Sequence, residues 1–256
     1  MLRLIASDID GTLLQNGAKV LPTELFDEIC RLKKQGILFC PASGRQYHSL
    51  RQLFAPVADR IPFICENGAV VFGPGDPGPA LGKTVMDRRL AVELCRGIMA
   101  LPEVEVLISG ANTSYLCPKR ESFVSEVRDG LGNSAVVVER PEDVPEDIIK
   151  VSAYCPGRLA ETRIALVFRW ERAFRAAVAG EDWLDFTLAD KGRGLGQLCK
   201  TLGIGFDEVM AFGDNYNDLP MLQKVGQPYL VTSAAPELRA RVAGSCKAVL
   251  DILRTL

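Results

Sequence analysis

The chain has 256 residues, 48% of them apolar and 24% charged, and carries a formal net charge of −2 at pH 7. That length and apolar content suffice for a sizeable buried core, arranged as one large domain or two smaller ones. Charges of both signs are interspersed, leaving no basic stripe for a nucleic-acid backbone and no basic cluster for anionic lipid, so neither is expected as a partner. Met1–Ala6 is apolar but reaches Asp8 at once. It is too short for a signal sequence, and no later run approaches the roughly 18 apolar residues of a membrane span, so a cytoplasmic location is expected.

The eight cysteines form no Cys-x-x-Cys pair and no cluster with histidine at zinc spacing, and are expected as reduced, mostly buried thiols. His48 is the sole histidine, which removes two-histidine metal sites and histidine relays; no Gly-x-Ser-x-Gly elbow is present either.

In chain order, Leu2–Ser7 is an apolar strand and Leu21–Lys34 has helical periodicity, with Thr23 available as a cap and Gly36 as its end. Ile37–Cys40 is a second strand, Tyr47–Phe54 a helix, and Pro62–Cys65 a third strand leading through Gly68 to a hairpin-like Val70–Phe72. This is the strand–helix rhythm of a parallel sheet. Gly73–Gly82, rich in glycine and proline, reads as a hinge into an inserted unit. Within that unit Asp87–Ala100 is expected as a helix, Val104–Ile108 and Ser114–Cys117 as strands, and Ser122–Gly130 as a helix. Ile149–Tyr154 follows as a strand, Arg158–Val178 as mostly helical and Asp185–Leu188 as a last strand. The first pattern then resumes with a helix over Gly194–Leu202, a strand over Glu208–Phe212, a helix over Leu219–Lys224 and a strand over Tyr229–Val231. The expected organisation is a catalytic core from 1–83 and 188–256, interrupted by an α/β insert at 84–187.

Two segments imitate nucleotide-binding motifs. Gly73-Pro74-Gly75-Asp76-Pro77-Gly78 matches Gly-x-Gly-x-x-Gly, but its prolines favour a turn where that fingerprint must open a helix. Gly82-Lys83-Thr84 resembles the end of a Walker A loop, yet the required upstream glycine is Pro77, so a linker is expected there.

The chemistry-bearing residues lie where strands end, the edge at which open parallel sheets bind ligands. Asp8 and Asp10 follow the first strand, with Gly11 permitting a sharp turn and Thr12 offering a hydroxyl and an N–H. Taken alone this loop is compatible with a simple turn, and it lacks the further ligands of an EF-hand. Gly213-Asp214-Asn215-Tyr216-Asn217-Asp218 is a second acidic loop after a buried strand. If the two loops meet, their four aspartates require a cation, and oxygen-only ligands point to Mg²⁺; two unrelated polar turns are the alternative. Lys191 opens a helix. Ser43, Gly44 and Arg45 supply a hydroxyl, helix-start N–H groups and a guanidinium fork suited to phosphate.

Taken together, Asp8-Ile9-Asp10-Gly11-Thr12, Ser43-Gly44-Arg45, Lys191-Gly192 and Gly213–Asp218 resemble, in order, the four motifs of the haloacid dehalogenase superfamily. Glu66-Asn67-Gly68-Ala69 and the position of the insert resemble its Cof-type branch. The resemblance implies a Rossmann-like parallel sheet flanked by helices, an inserted α/β cap of the C2 class, and a Mg²⁺-dependent phosphatase of small phosphorylated metabolites. Asp8 would be the nucleophile and Asp10 the general acid and base. Ser43 and Lys191 would hold the transferring phosphoryl group, with Gly11, Thr12, Gly44, Arg45 and Asn217 around the phosphate. Mg²⁺ would be held by Asp8, the carbonyl of Asp10, Asp214 and, directly or through water, Asp218. Many Cof-type members carry an Ala-Met-Gly-Asn-Ala-like segment near the fourth motif, whereas this chain reads Leu230-Val231-Thr232-Ser233-Ala234-Ala235-Pro236-Glu237. A mannosyl-3-phosphoglycerate phosphatase-like or other sugar-phosphate phosphatase of the same cap class is therefore also compatible. A phosphomutase using the same aspartyl-phosphate, and a non-catalytic phospho-ligand binding module, are the competing readings of function.

Overall fold

The apolar run at the N-terminus forms strand β1, Leu4–Ser7, with all four residues buried. In the computed structural model, which describes residues 1–256, the next element is the helix Thr23–Lys34. It turns Leu25, Ile29 and Leu32 inward and places Arg31, Lys33 and Lys34 in the last turn, where they complement the helix dipole. Thr23 does not cap this helix: Pro22 occupies the N-cap with an extended backbone, and no side chain there accepts a capping bond. Strand β2, Leu38–Pro41, lies parallel to β1 in the register Leu4 to Leu38.

After the helix Tyr47–Leu53 come β3, Phe63–Cys65, and β4, Val70–Phe72, an antiparallel pair. Strand β5, Ala80–Lys83, completes a three-stranded sheet in the order β3-β4-β5. The pseudo-fingerprint Gly73–Gly78 is thus the β4–β5 connection. Gly82 and Lys83 belong to a strand rather than to a linker, because pairing with β4 overrides their weak local preference.

The chain divides into two compact units, one comprising Met1–Gly44, Leu50–Gly82 and Asp190–Leu256, the other Lys83–Ala189 with the short segment Arg45–Ser49. In the second unit, Asp87 caps the helix Arg88–Met99 by accepting the Leu90 N–H. Strands β6, Glu105–Ser109, β7, Ser114–Leu116, β8, Ala135–Val137, and β9, Lys150–Tyr154, follow, then the helix Leu159–Trp170, β10, Arg175–Ala179, and β11, Trp183–Thr187. They make one six-stranded sheet in the order β10-β11-β9-β6-β7-β8, antiparallel except for the β7–β8 pair. Alternation along β6 and β9 sends Val106, Ile108, Val151 and Ala153 into a core shared with Leu94, Ile98, Leu166 and Trp170 of the two helices. The helical expectation over Arg158–Val178 is corrected here. The helix ends at Trp170, and Arg175–Ala179 becomes an edge strand by pairing residue for residue with Trp183–Thr187.

The first unit resumes with the helix Lys191–Leu202, β12, Val209–Gly213, the short helix Leu219–Leu222, β13, Gln227–Val231, and β14, Gly244–Cys246. Its main sheet runs β14-β13-β12-β1-β2, parallel throughout. Strand β1 lies between β2 on one side and β12 on the other, so the strand order reverses there. A crevice outside the carboxyl ends of the strands at such a point is where open α/β sheets bind ligands. Ser7 pairs with Phe212, so the residues following β1 and β12 emerge side by side. No helix is long and apolar enough to cross a membrane.

Candidate active site

Asp8 leaves β1 with its N–H donated to Phe212 O at 3.0 Å, which fixes the first acidic loop against the strand that delivers the second. Its loop then folds back through Leu13 and Leu14, whose N–H groups donate to Ile9 O at 2.9 and 2.8 Å. Gly11 sits at φ +93°, and a Cβ there would stand 2.3 Å from Asp214 Oδ2. Only glycine combines that backbone with that proximity. Thr12 closes the contact, its hydroxyl donating to Asp214 Oδ1 at 2.8 Å. Asp10 is exposed beside the cluster and pairs through its backbone with Leu14.

Lys191 reaches the same point from the N-terminus of its helix. The N-cap Asp190 accepts the Arg193 N–H at 2.8 Å, holding the first turn in place. The Lys191 ammonium donates to Asp8 Oδ1 and, at 2.6 Å, to Asp218 Oδ1, and it is fully buried. Asp218, equally buried, accepts the N–H groups of Asp214 and Asn215 on its other oxygen, each at 3.0 Å. Asp218 therefore both organises its own loop and anchors the lysine.

Burial pushes the Asp8 carboxyl up to about 8; Lys191 opposes the rise, and Asp218 and Asp214 add to it. Burial also raises Asp214, against the hydrogen bond from Thr12. Burial alone would lower Lys191, but the carboxylates of Asp218 and Asp8 carry it above its ordinary range. Lys191 is therefore firmly charged.

Asp8, Asp214 and Asp218 each offer a carboxylate oxygen, and these oxygens lie within 4.8 Å of one another. Every donor in this group is a carboxylate oxygen, the ligand type that a hard divalent cation prefers.

Ser43 is buried just beyond β2, with Ala42 N–H donated to Ser7 O at 2.8 Å and Ser43 N–H to Ile64 O at 2.9 Å. Gly44 follows, and Asn217 from the second acidic loop is exposed, its Nδ2 donating to Asn67 Oδ1 at 3.4 Å. Arg45 groups with the second unit. The helix after it begins only at Tyr47, and its His48 N–H already donates to Asn112 Oδ1 at 2.9 Å, so it is not the open helix terminus expected at Ser43–Arg45. The sequence motifs assign no role to Asp190 or Asn67. Asp190 carried a usable signal, an aspartate directly before the first helical residue.

A family model for haloacid dehalogenase-like hydrolases matches residues 5–248. The chain belongs to that family. Among curated haloacid dehalogenase-like relatives, a 5-amino-6-(5-phospho-D-ribitylamino)uracil phosphatase of Escherichia coli (strain K12) is 28% identical, covering 98% of this chain and 95% of its own. A pyridoxal phosphate phosphatase of the same organism is 23% identical over 93% and 91%. A solved structure from Eubacterium rectale is 30% identical, with a TM-score of 0.88 over 99% of this chain and 98% of that one. The four segments singled out in the sequence fall within the matched span.

Proposed function

We propose that this haloacid dehalogenase-like hydrolase is a phosphomonoesterase of small phosphorylated metabolites, a sugar phosphate or a compound of similar size, working through an aspartyl-phosphate. The observation that carries the reading is the buried ammonium of Lys191 held between Asp8 and Asp218, with Asp214 completing the acidic cluster at the strand ends.

In the proposed reaction an Asp8 carboxylate oxygen attacks phosphorus, the ester bond to the leaving oxygen breaks, and Asp10 gives that oxygen a proton. Asp10 then takes a proton from water, whose oxygen attacks phosphorus; the P–O bond to Asp8 breaks, releasing inorganic phosphate and returning Asp8 as its carboxylate. Asp10's exposure beside the cluster supports this exchange with water and leaving group. Lys191 and Ser43 would neutralise and orient the equatorial oxygens, with the N–H groups of Gly11 and Thr12, Gly44 and the Asn217 amide around them. Mg²⁺, held by Asp8, the Asp10 carbonyl and Asp214, would supply positive charge to the transferring phosphoryl group and keep Asp8 ionised despite its burial. Asp218 would act on it through the loop it braces.

The substrates named for the two E. coli relatives, a phosphoribityl-aminouracil and pyridoxal phosphate, are both small phosphate esters, which supports the substrate class. The test is phosphate release from p-nitrophenyl phosphate with and without Mg²⁺, in the wild type and in Asp8→Asn. Turnover that survives Asp8→Asn would refute the nucleophile.

A further inference from the structure

Glu66-Asn67-Gly68 follows β3, and the roles assigned above do not use it. Its three residues have successive φ values of +51°, +53° and +91°. Glycine adopts this region freely and asparagine tolerates it, but a glutamate followed by an asparagine there is an unfavourable pair that the surroundings must hold in place.

The surroundings are the expected phosphate-binding residues. Asn67 N–H donates to Ser43 O at 2.9 Å, while Ser43 N–H donates to Ile64 O at 2.9 Å, so the turns after β2 and β3 are laced together. The Asn67 carboxamide lies directly over Gly44: a Cβ built on Gly44 would stand 3.0 Å from Nδ2 and 3.4 Å from Oδ1. On its far side Oδ1 faces Asn217 Nδ2 at 3.4 Å. One half-buried side chain thus touches Gly44 and Asn217, which come from loops far apart in sequence but adjacent at the strand ends, and its backbone holds Ser43.

We propose that Asn67 is a positioning residue for phosphoryl transfer, its carboxamide setting the Ser43–Gly44 turn against Asn217. The inference rests on the phosphatase reading above and deepens it. The left-handed backbone serves this placement: reversing the sign of φ would swing the carboxamide away from Gly44. The bland account is that asparagine is present only because it tolerates the backbone. The two accounts separate on Asn67→Gly, which keeps both the left-handed conformation and the N–H to Ser43 O but removes the carboxamide. If only the backbone matters, that change is neutral or stabilising.

The experiment measures p-nitrophenyl phosphate turnover with Mg²⁺, inhibition by inorganic phosphate and thermal midpoint, for the full chain and for Asn67→Gly. The expected result is a kcat lower by about tenfold to a hundredfold, as for a misplaced phosphoryl-binding group, weaker phosphate inhibition, and a nearly unchanged midpoint. Gly44→Ala is expected to lose activity by pressing on the carboxamide. Gly44→Ala with Asn67→Gly should lose little more than Asn67→Gly alone, a non-additivity that contact between the two requires. If Asn67→Gly fails to fold, Asn67→Asp, of the same shape and also tolerant of this backbone, is measured in its place and is expected to weaken phosphate inhibition through like-charge repulsion. Values of kcat, KM and phosphate inhibition within twofold of wild type, or strictly additive losses in the double variant, would overturn the proposal. Should the wild type not hydrolyse the aryl phosphate, the phosphatase reading fails separately. Calorimetric binding of inorganic phosphate with Mg²⁺ then decides the positioning claim, and equal affinity in wild type and Asn67→Gly sinks it.

Discussion

Lys191 Nζ donates to Asp218 Oδ1 at 2.6 Å, and neither residue has exposed surface. The same ammonium donates to Asp8. Burying these charges costs several kcal/mol each, and the group is stable only because each charge faces its partner. Lys191→Met keeps most of the volume and removes the charge, leaving two carboxylates in a dry site. A loss of about 3–5 kcal/mol in unfolding free energy is expected, the usual cost of breaking a buried pair. Urea titration checks it through a lower midpoint at unchanged slope, with phosphatase turnover lost at the same time. A Lys191→Met variant as stable as wild type would mean that the ammonium does not hold the site together.

Thr12 donates to Asp214 Oδ1 at 2.8 Å, which orients one of the three carboxylates offered to a cation. Saturating Mg²⁺ is expected to raise the thermal midpoint of the wild type, about 2.7 kcal/mol of stabilisation being available at a hundred times the dissociation constant. Asp214→Asn should abolish this Mg²⁺-dependent shift. Thr12→Val, which leaves the carboxylate but loses its orienting bond, should weaken metal affinity by about ten- to a hundredfold. Differential scanning fluorimetry across a MgCl₂ series reads all three proteins. Identical shifts in wild type and Asp214→Asn would remove Asp214 from the metal site.

The acidic loops were legible because strand ends and residue types are local properties: Asp8 and Asp214 each follow a short apolar run that became a buried parallel strand. Long periodic segments were legible too, and the helix expected over Asp87–Ala100 appears at Arg88–Met99. What escaped depends on distant partners. Arg175–Ala179 has alanines that suit a helix and becomes a strand only through Trp183–Thr187. The strands Ala135–Val137 and Gly244–Cys246 are three residues long, too short for any periodicity to show. Thr23 looked like a cap, yet the backbone entering from Pro22 took that position. Asn67 was visible as part of a motif, but nothing local reveals that its carboxamide rests on Gly44.

Seven of the eight cysteines are buried, and Cys30 is half-buried. Burial pushes Cys199 and Cys246 up to about 11 from an ordinary 9.0. A thiol whose pKa rises on folding contributes stability fully below its unfolded value, and that contribution is lost as pH climbs from about 9 through about 11. At pH 8 these thiols are therefore both shielded and protonated, and unreactive on both counts. Titration of the native protein with a chromogenic disulfide at pH 8 is expected to show one fast thiol, removed by Cys30→Ser, and eight after denaturation. Several fast thiols in the native protein would contradict this burial.

Gly192 and Gly196 lie on the same helix, one turn apart, and alanine should act on them in opposite directions. A Cβ on Gly192 would stand 2.0 Å from Pro220 O and 2.4 Å from Pro220 C, both backbone atoms, whereas one on Gly196 would meet nothing nearer than Phe206 Cζ at 3.6 Å. At an unobstructed helix interior, glycine to alanine is worth roughly 0.5–1 kcal/mol in favour of alanine. Gly196→Ala is expected to show that gain. At Gly192 the added methyl must push the start of the helix away from the segment that follows Asp218, an overpacking typically costing about 1–3 kcal/mol. The neighbouring Lys191 would then be drawn away from Asp8, so activity should fall along with stability. Thermal midpoints and turnover of the two variants, measured side by side, separate close packing from helix propensity. Equal stabilisation by both alanines would show that the contact between Gly192 and Pro220 does not constrain the lysine.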